Sequence, residues 1–266
     1  MTIAILGAGG MGEALLSGLL RAGRRAEDLL VTRRRVERGQ ELVDRYGVEL
    51  VGNAEAARKA DTLIIAVKPQ DMAALLDEIS SDVHTGQLIV SLAAGVTTSF
   101  IESRLPDGVA VVRVMPNTPA LVDEGMAAIA PGAHCDDRHL EEAENLLRAT
   151  GKVVRVPEKQ LDAVTAVAGT GPAYVFYVVE AMIEAGVHLG LPRSTATEMV
   201  VQTVVGSAKL LRESGEHPTV LREQVTSPGG TTAAAVRLLE EGRVRADFLA
   251  AIEAARDRAR ELGSGG

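Results

Sequence analysis

The chain has 266 residues, enough for one large domain or two ordinary ones. With 46% hydrophobic and 24% charged residues it has the makeup of a globular protein, which excludes a disordered, collagen-like or disulfide-stapled chain. Its 36 acids outnumber its 28 bases for a net charge of −8, and it has no Trp, 3 Tyr and 3 Phe, so it repels polyphosphate and offers few stacking platforms: nucleic acid is not an expected partner.

Short β-branched runs at Ile3 to Leu6, Leu29 to Thr32, Thr62 to Val67, Leu88 to Leu92 and Ala110 to Val114 alternate with helix-spaced stretches at Met11 to Ala22, Arg35 to Tyr46 and Asp71 to Ile79. That alternation predicts an α/β fold, a doubly wound parallel sheet covered by helices on both faces. Strands at Met126 to Ala130 and Lys152 to Val156, flanking a helix from Asp137 to Thr150, are expected to extend the same sheet. After Pro157 the texture changes to long Ala-rich segments of helical period, so the boundary is placed there: a sheet domain over 1–157 and an all-α domain over 158–266. Helices are expected over Glu158 to Val167, Pro172 to Leu189, Ser194 to Glu213, Pro218 to Val225, Thr231 to Glu241 and Arg245 to Leu262. Thr195 and Glu198 read as a capping box, Gly190 with Pro192 as a stop, and Pro218 as a first helical position. These helices carry Ala, Gly and Val on more than one side, which points to contact with a neighbour such as another chain.

Cys135 stands alone, so no internal disulfide forms, in keeping with a reducing compartment. The start, MTIAILGAGGMG, has no basic leader, and its apolar run ends at glycines. The longest uncharged stretch, Ala163 to Val179, falls short of the ~20 residues a membrane span needs and is interrupted by Gly-Thr-Gly-Pro. A cytoplasmic protein without a membrane anchor is expected.

Gly7-Ala8-Gly9-Gly10-Met11-Gly12 matches G-x-G-x-x-G after the first strand and at the start of the first helix, the position of a dinucleotide fingerprint. There Gly7 permits a tight turn, Gly9 lets the backbone approach a pyrophosphate, and Gly12 lets helix pack on strand. The end of the second strand chooses between cofactors, because an acid there bonds a ribose 2′-hydroxyl and repels a 2′-phosphate. Here Thr32 is followed by Arg33, Arg34 and Arg35. That cluster matches a phosphate in charge and fork geometry and predicts NADPH over NADH; a solvated basic turn is the alternative. Ala66-Val67-Lys68-Pro69 and Ser91-Leu92-Ala93-Ala94-Gly95 end two further strands at the carboxyl edge, where Lys68 either attracts a carboxylate or caps a helix carbonyl. In Met115-Pro116-Asn117-Thr118-Pro119, Asn117 either meets a carboxamide or sits in a rigid turn.

Thr226-Ser227-Pro228-Gly229-Gly230-Thr231-Thr232 leads into a helical run, so it reads either as an anion cradle for a carboxylate or as an ordinary Ser N-cap with a Gly-rich loop. Gly169-Thr170-Gly171-Pro172 makes a second such loop or a hinge. The five His residues are scattered beside polar turns, and neither HExxH nor a Cys pair appears, so metal hydrolysis has no support.

With GAGGMG, VKPQ, SLAAG, MPNTPA, AGTGPAY and VTSPGGTT in this order, the chain resembles the pyrroline-5-carboxylate reductase family over essentially its full length. The resemblance implies NADPH- or NADH-dependent reduction of Δ1-pyrroline-5-carboxylate to L-proline, the last step of proline synthesis, with no metal. It also implies a nucleotide along Gly9, Met11 and Gly12, with Thr32, Arg33 and Arg34 near the adenosine phosphate, Asn53 near the ribose, and Ala66, Lys68 and Ala94 on the nicotinamide side. Ser227, Gly229, Gly230 and Thr231 match the loop that holds the substrate carboxylate, with Lys68 as a further attraction for it. Thr232 matches the hydroxyl that hydrogen-bonds the ring nitrogen. The family usually has Ser where this chain has Ala168, and often Ser at Thr170. It forms dimers through intertwined helical domains, commonly assembled into decamers. Two competing readings are a reductase of another imine or small oxo-acid on the same architecture, and a protein that senses NADPH without turnover.

Overall fold

A computed structural model of the chain describes residues 1–264. β1 (Ile3–Leu6) is buried on both faces, Ile3 and Ile5 joining one core and Ala4 and Leu6 the other, as expected of a central parallel strand. Then follow α1 (Gly10–Arg21), β2 (Leu29–Val31), α2 (Val36–Tyr46), β3 (Glu49–Leu50), α3 (Asn53–Lys59), β4 (Thr62–Ile65) and α4 (Met72–Ile79). The sheet region continues with β5 (Leu88–Ser91), α5 (Thr98–Glu102), β6 (Ala110–Met115), β7 (Gly125–Pro131), α6 (Asp137–Leu147) and β8 (Gly151–Arg155). The eight strands form one sheet in the order β3-β2-β1-β4-β5-β6-β7-β8. From β1 the chain winds outward to β3, then returns to β4 and winds the other way, which creates the switch in direction where open α/β sheets bind ligands.

Helix faces close both sides. Leu15, Leu16 and Leu19 of α1 and Leu140, Ala143, Leu146 and Leu147 of α6 pack with Ile3, Ile5, Ile64, Val90 and Val112 on one side. Ala56 and Ala57 of α3 and Met72, Leu75, Leu76 and Ile79 of α4 cover Ala4, Leu63, Ile65 and Ile89 on the other. Small residues let these helices lie close to the sheet, which is how a core with so few rings reaches native density.

The sheet is the doubly wound, mostly parallel one expected, with one antiparallel pairing: β7 runs antiparallel to β6. Residues 116–124 are too few for the crossover that a parallel neighbour requires. α3 and α5 were not expected either; at 7 and 5 residues they are too short to show a helical period.

Beyond β8 come α7 (Leu161–Val164), a π turn over Thr165–Gly169, then α8 (Gly171–His188), α9 (Arg193–Ser214), α10 (Pro218–Gln224), α11 (Thr231–Glu241) and α12 (Val244–Ser264). The second region is thus helical throughout, with Gly190 in the left-handed region ending α8 and Pro218 at the start of α10. The capping box is not formed: α9 begins at Arg193 after Pro192, so Thr195 lies inside the helix. Pro192, with φ −56° and ψ 139°, is the N-cap, and no side chain caps the helix.

By backbone contacts the chain divides into Met1–Thr170 with the segment from Ala255 onward, and Gly171–Ala254. The change of texture after Pro157 and this division do not coincide, because Leu161 and Ala166 are fully buried and Leu161 packs on Ala128 and Ala130 of β7. The end of α12 belongs to the first unit, where the Gly263 backbone lies against Gly95.

Gly169-Thr170-Gly171-Pro172 does interrupt the regular helix: the π turn ends at Gly169, Thr170 is a bend and α8 starts at Gly171. Taken together as one run, Glu158 to His188 spans 31 residues with a mean hydropathy of 1.3 in their most apolar stretch, long and apolar enough by length and composition to cross a membrane. Its side chains are largely exposed on the single chain, Phe176 and Tyr177 to 67% and 74%.

Candidate active site

At the carboxyl end of β1 the chain turns through Gly7, whose φ of +77° only glycine adopts readily and where a Cβ would lie 2.5 Å from Val67 Cγ1. Gly9 caps α1 without a side-chain hydrogen bond, and a Cβ there would meet nothing nearer than the Gly7 oxygen at 3.7 Å. The space before the first-turn N–H groups is therefore open to an anion at the positive helix end. Gly12 is buried beneath, where a Cβ would stand 3.1 Å from Ile5 Cγ2 and 3.2 Å from Ala66 Cβ; its part is packing of α1 on the sheet.

Thr32 is only 3% exposed, and its Oγ1 accepts a hydrogen bond from Gly7 N at 3.1 Å. Its backbone joins in, since Ala8 N donates to Thr32 O at 3.1 Å and Thr32 N to Ile5 O at 3.0 Å. The residue read as a replacement for a ribose-binding acid thus braces the glycine turn. Beside it the Arg33 guanidinium reaches back over the turn and donates to Ala8 O. Arg34 is exposed and pairs with Asp71 at 3.5 Å.

These groups line one cleft of about 1050 Å³ at the switch point, which also contains Gly7, Gly9, Arg35, Arg38, Arg45, Asn53, Ala66, Lys68 and Glu78. Six cations face four carboxylates. Arg45 pairs with Glu13 at 2.7 Å and Arg38 with Glu41 at 2.8 Å, while Glu78 accepts from Asn53 Nδ2 at 2.9 Å. Hydrogen bonding to Glu41 holds Arg38 further above its ordinary value, and bonding to Tyr46, with the charge of Glu13, does the same for Arg45. Among the described residues no carboxylate pairs with Arg33, Arg35 or Lys68, so the cleft presents net positive charge in an acidic chain. The contributions of Arg38 and Arg45 were missed, although with Arg35 they recur at near-helical spacing along α2 and its cap, the signal that one face is basic.

Not every candidate gathers here. Met11 borders a separate small recess with Leu92, Pro116 and Met126, and Ala94 is exposed at the end of β5 outside the cleft lining. Asn117 lies outside the cleft lining, where its Oδ1 accepts from Met126 N at 2.8 Å and its Nδ2 donates to Ala168 O at 3.1 Å. Two histidines serve locally, His139 Nδ1 accepting from Asp136 N in a capping box and His217 Nδ1 accepting from Thr219 N.

In the second unit, Ser227 to Gly230 form a tight turn closed by Gly230 N donating to Ser227 O at 3.0 Å, with Gly229 at φ +68°. The reading of Ser227 as N-cap does not hold: Gly230 is the cap of α11, and no side chain bonds its first turn. Among the described residues the N–H groups of Thr231, Thr232 and Ala233 have no acceptor, with the exposed Thr231 and half-buried Thr232 hydroxyls beside them. Such a start favours a small anion.

Comparison with known proteins fits this geometry. A family model described as pyrroline-5-carboxylate reductase dimerisation matches residues 158–262, and one described as NADP oxidoreductase, coenzyme F420-dependent, matches residues 2–95. Pyrroline-5-carboxylate reductases of Corynebacterium melassecola and Mycobacterium tuberculosis are 46% and 44% identical, each alignment covering 98% of this chain and 98% and 96% of theirs. The solved pyrroline-5-carboxylate reductase of Coxiella burnetii superposes with a TM-score of 0.93 at 36% identity over 98% of both chains. That of Plasmodium falciparum, solved with NADP bound, gives 0.88 at 29% identity over 99% of this chain and 98% of that one. The chain, with its Rossmann-type sheet followed by a helical dimerisation region, belongs to the pyrroline-5-carboxylate reductase family of oxidoreductases.

Proposed function

We propose that the chain reduces L-Δ1-pyrroline-5-carboxylate to L-proline, the last step of proline biosynthesis, with NADPH preferred over NADH. The observation that carries this reading is the presence of two uncapped helix starts in one chain: α1 at the basic cleft and α11 behind Ser227-Pro228-Gly229-Gly230. When bound, the nicotinamide cofactor supplies the hydride that the imine carbon receives. Gly7 and Gly9 admit the diphosphate, Thr32 keeps their turn in shape, and Arg33 and Arg34 attract the adenosine phosphate. Asn53 lies toward the ribose, with Ala66, Lys68 and Ala94 toward the reacting ring and Met11 and Gly12 along the first helix.

Ser227, Gly229, Gly230 and Thr231 hold the substrate carboxylate through the free N–H groups of α11, with Lys68 adding attraction. Thr232 orients the imine nitrogen through its hydroxyl. An imine that arrives protonated already carries positive charge toward the carbon under attack, so no strong acid is required of the protein. Holding two carbons ~3 to 3.5 Å apart in alignment supplies several kcal/mol of the rate enhancement.

Residues 158–266 serve as the substrate and dimerisation domain, and 1–157 as the dinucleotide-binding domain, of a cytoplasmic homodimer that assembles further toward a decamer. A second chain covering Phe176, Tyr177, Leu210 and Leu211 accounts for their exposure on one chain without a membrane. The test is NADPH absorbance with and without racemic pyrroline carboxylate, followed by chiral analysis of the product. L-Proline formation supports the reading; turnover only with other imines, or cofactor binding with no turnover, overturns it.

A further inference from the structure

Proline inside a helix has no N–H to give, and its ring crowds the carbonyl four residues earlier. Pro172, the second residue of α8, stands four residues after Ala168 across the bend at Thr170, so no backbone N–H is available to the Ala168 carbonyl at the position that would carry the π turn on into α8. Two features meet this defect. The backbone widens into the π turn over Thr165–Gly169, where Thr170 N donates to Thr165 O at 2.8 Å. The amide of Asn117, 51 residues earlier, donates from Nδ2 to the Ala168 oxygen at 3.1 Å. Its other end is held by Met126 N at 2.8 Å, so the side chain is fixed between the start of β7 and the turn. The Met115 side chain lies beside the turn, its Cε 2.5 Å from where a Cβ on Gly169 would be.

We infer that Asn117 is a positioning residue: its side chain replaces the backbone donor that Pro172 removes, and so fixes the π turn through which the chain enters its helical segment. That this turn matters for turnover rests on the reductase reading above. The pairing of Asn117 with Pro172 does not.

The test is a double-mutant cycle of wild type, N117A, P172A and N117A/P172A, read by urea unfolding, by hydrogen exchange over residues 165–173, and by kcat and KM for the imine and for NADPH. N117A is expected to speed exchange at the turn and to lower kcat/KM for the imine about fivefold to tenfold, the scale of one hydrogen bond, with the NADPH KM within about twofold. P172A restores a backbone N–H and is expected to stay near wild type. The double variant is expected to recover to within about threefold of wild type, a non-additivity that only coupled sites show. Should N117A fail to fold, N117D keeps the acceptor for Met126 N and loses the donor to Ala168, and P172A is expected to rescue it in the same way. Additive single effects, or a raised NADPH KM in N117A that P172A does not restore, overturn the inference. If the wild type turns over no imine, the reductase reading fails, while the unfolding and exchange cycle still decides the Asn117 pairing.

Discussion

Thr32 Oγ1 accepts the Gly7 amide at 3.1 Å, so the hydroxyl that follows β2 is part of the turn that opens the nucleotide cleft. Gly7 N is the donor that a turn with φ +77° leaves facing β2, and Thr32, 3% exposed, is placed to take it. Thr32→Val keeps the shape and removes the acceptor. It is expected to lower stability by about 1 to 3 kcal/mol, the effect of a buried donor left unpaired, measured by urea unfolding. The KM values for NADPH and NADH are expected to rise together, because the turn serves both.

The arginines should behave differently. Arg33→Ala with Arg34→Ala removes two guanidiniums from the cleft lining and is expected to raise the NADPH KM about tenfold or more, with little change for NADH, since a charged hydrogen bond contributes ~1.5 to 3 kcal/mol. Steady-state kinetics with both cofactors check this, and equal effects would show that the cluster does not read the phosphate.

Gly7→Ala tests the backbone. A left-handed φ costs a residue with a Cβ roughly 1 to 2 kcal/mol, and the contact with Val67 adds to it. The variant is expected to unfold at lower urea and to lose NADPH binding by fluorescence titration, whereas Gly10→Ala, where a Cβ meets nothing within 4 Å, is expected to unfold close to wild type.

Thr232→Ala is expected to lower kcat about ten- to a hundredfold at saturating substrate, the loss of one hydrogen bond to a charged nitrogen, with the NADPH KM unchanged. Unaltered turnover would remove Thr232 from the mechanism.

Glu144 ties α6 to β8. Hydrogen bonding from Arg155, reinforced by Arg148 at 2.7 Å, holds its carboxyl below the ordinary value of 4.5. Because the folded value is the lower one, the stabilisation is full above pH 4.5 and is lost as pH falls through the folded value. The difference in Tm between wild type and Glu144→Gln is therefore expected to shrink between pH 7 and pH 3; a constant difference would refute the linkage.

Much of this was legible in advance. Gly7, Gly9 and Gly12 announce their places because each answers a local demand for conformation or space, and the β-branched runs announce strands buried on both faces. The helices from Pro172 onward were legible for a similar reason, since Gly190 and Pro218 punctuate them. The Thr195 cap is not formed because the helix already runs from Arg193, with Pro192 as its cap. Asn117 was readable only as a polar residue in a proline-rich turn, although Pro172 did signal that some carbonyl near Ala168 needed another donor.

The division follows the range of the forces. Residue type alone determined backbone habit: which glycines turn the chain, which prolines withhold a donor, which runs are apolar enough to be central strands. Tertiary structure decided which distant groups meet, as Thr32 meets Gly7 across 25 residues and Asn117 meets Ala168 across 51. It also set the antiparallel direction of β7 and the gathering of Arg38 and Arg45 at the cleft. A hydrogen bond acts over about 3 Å and carries no memory of sequence separation, so its partner exists only once the sheet has brought the two segments together.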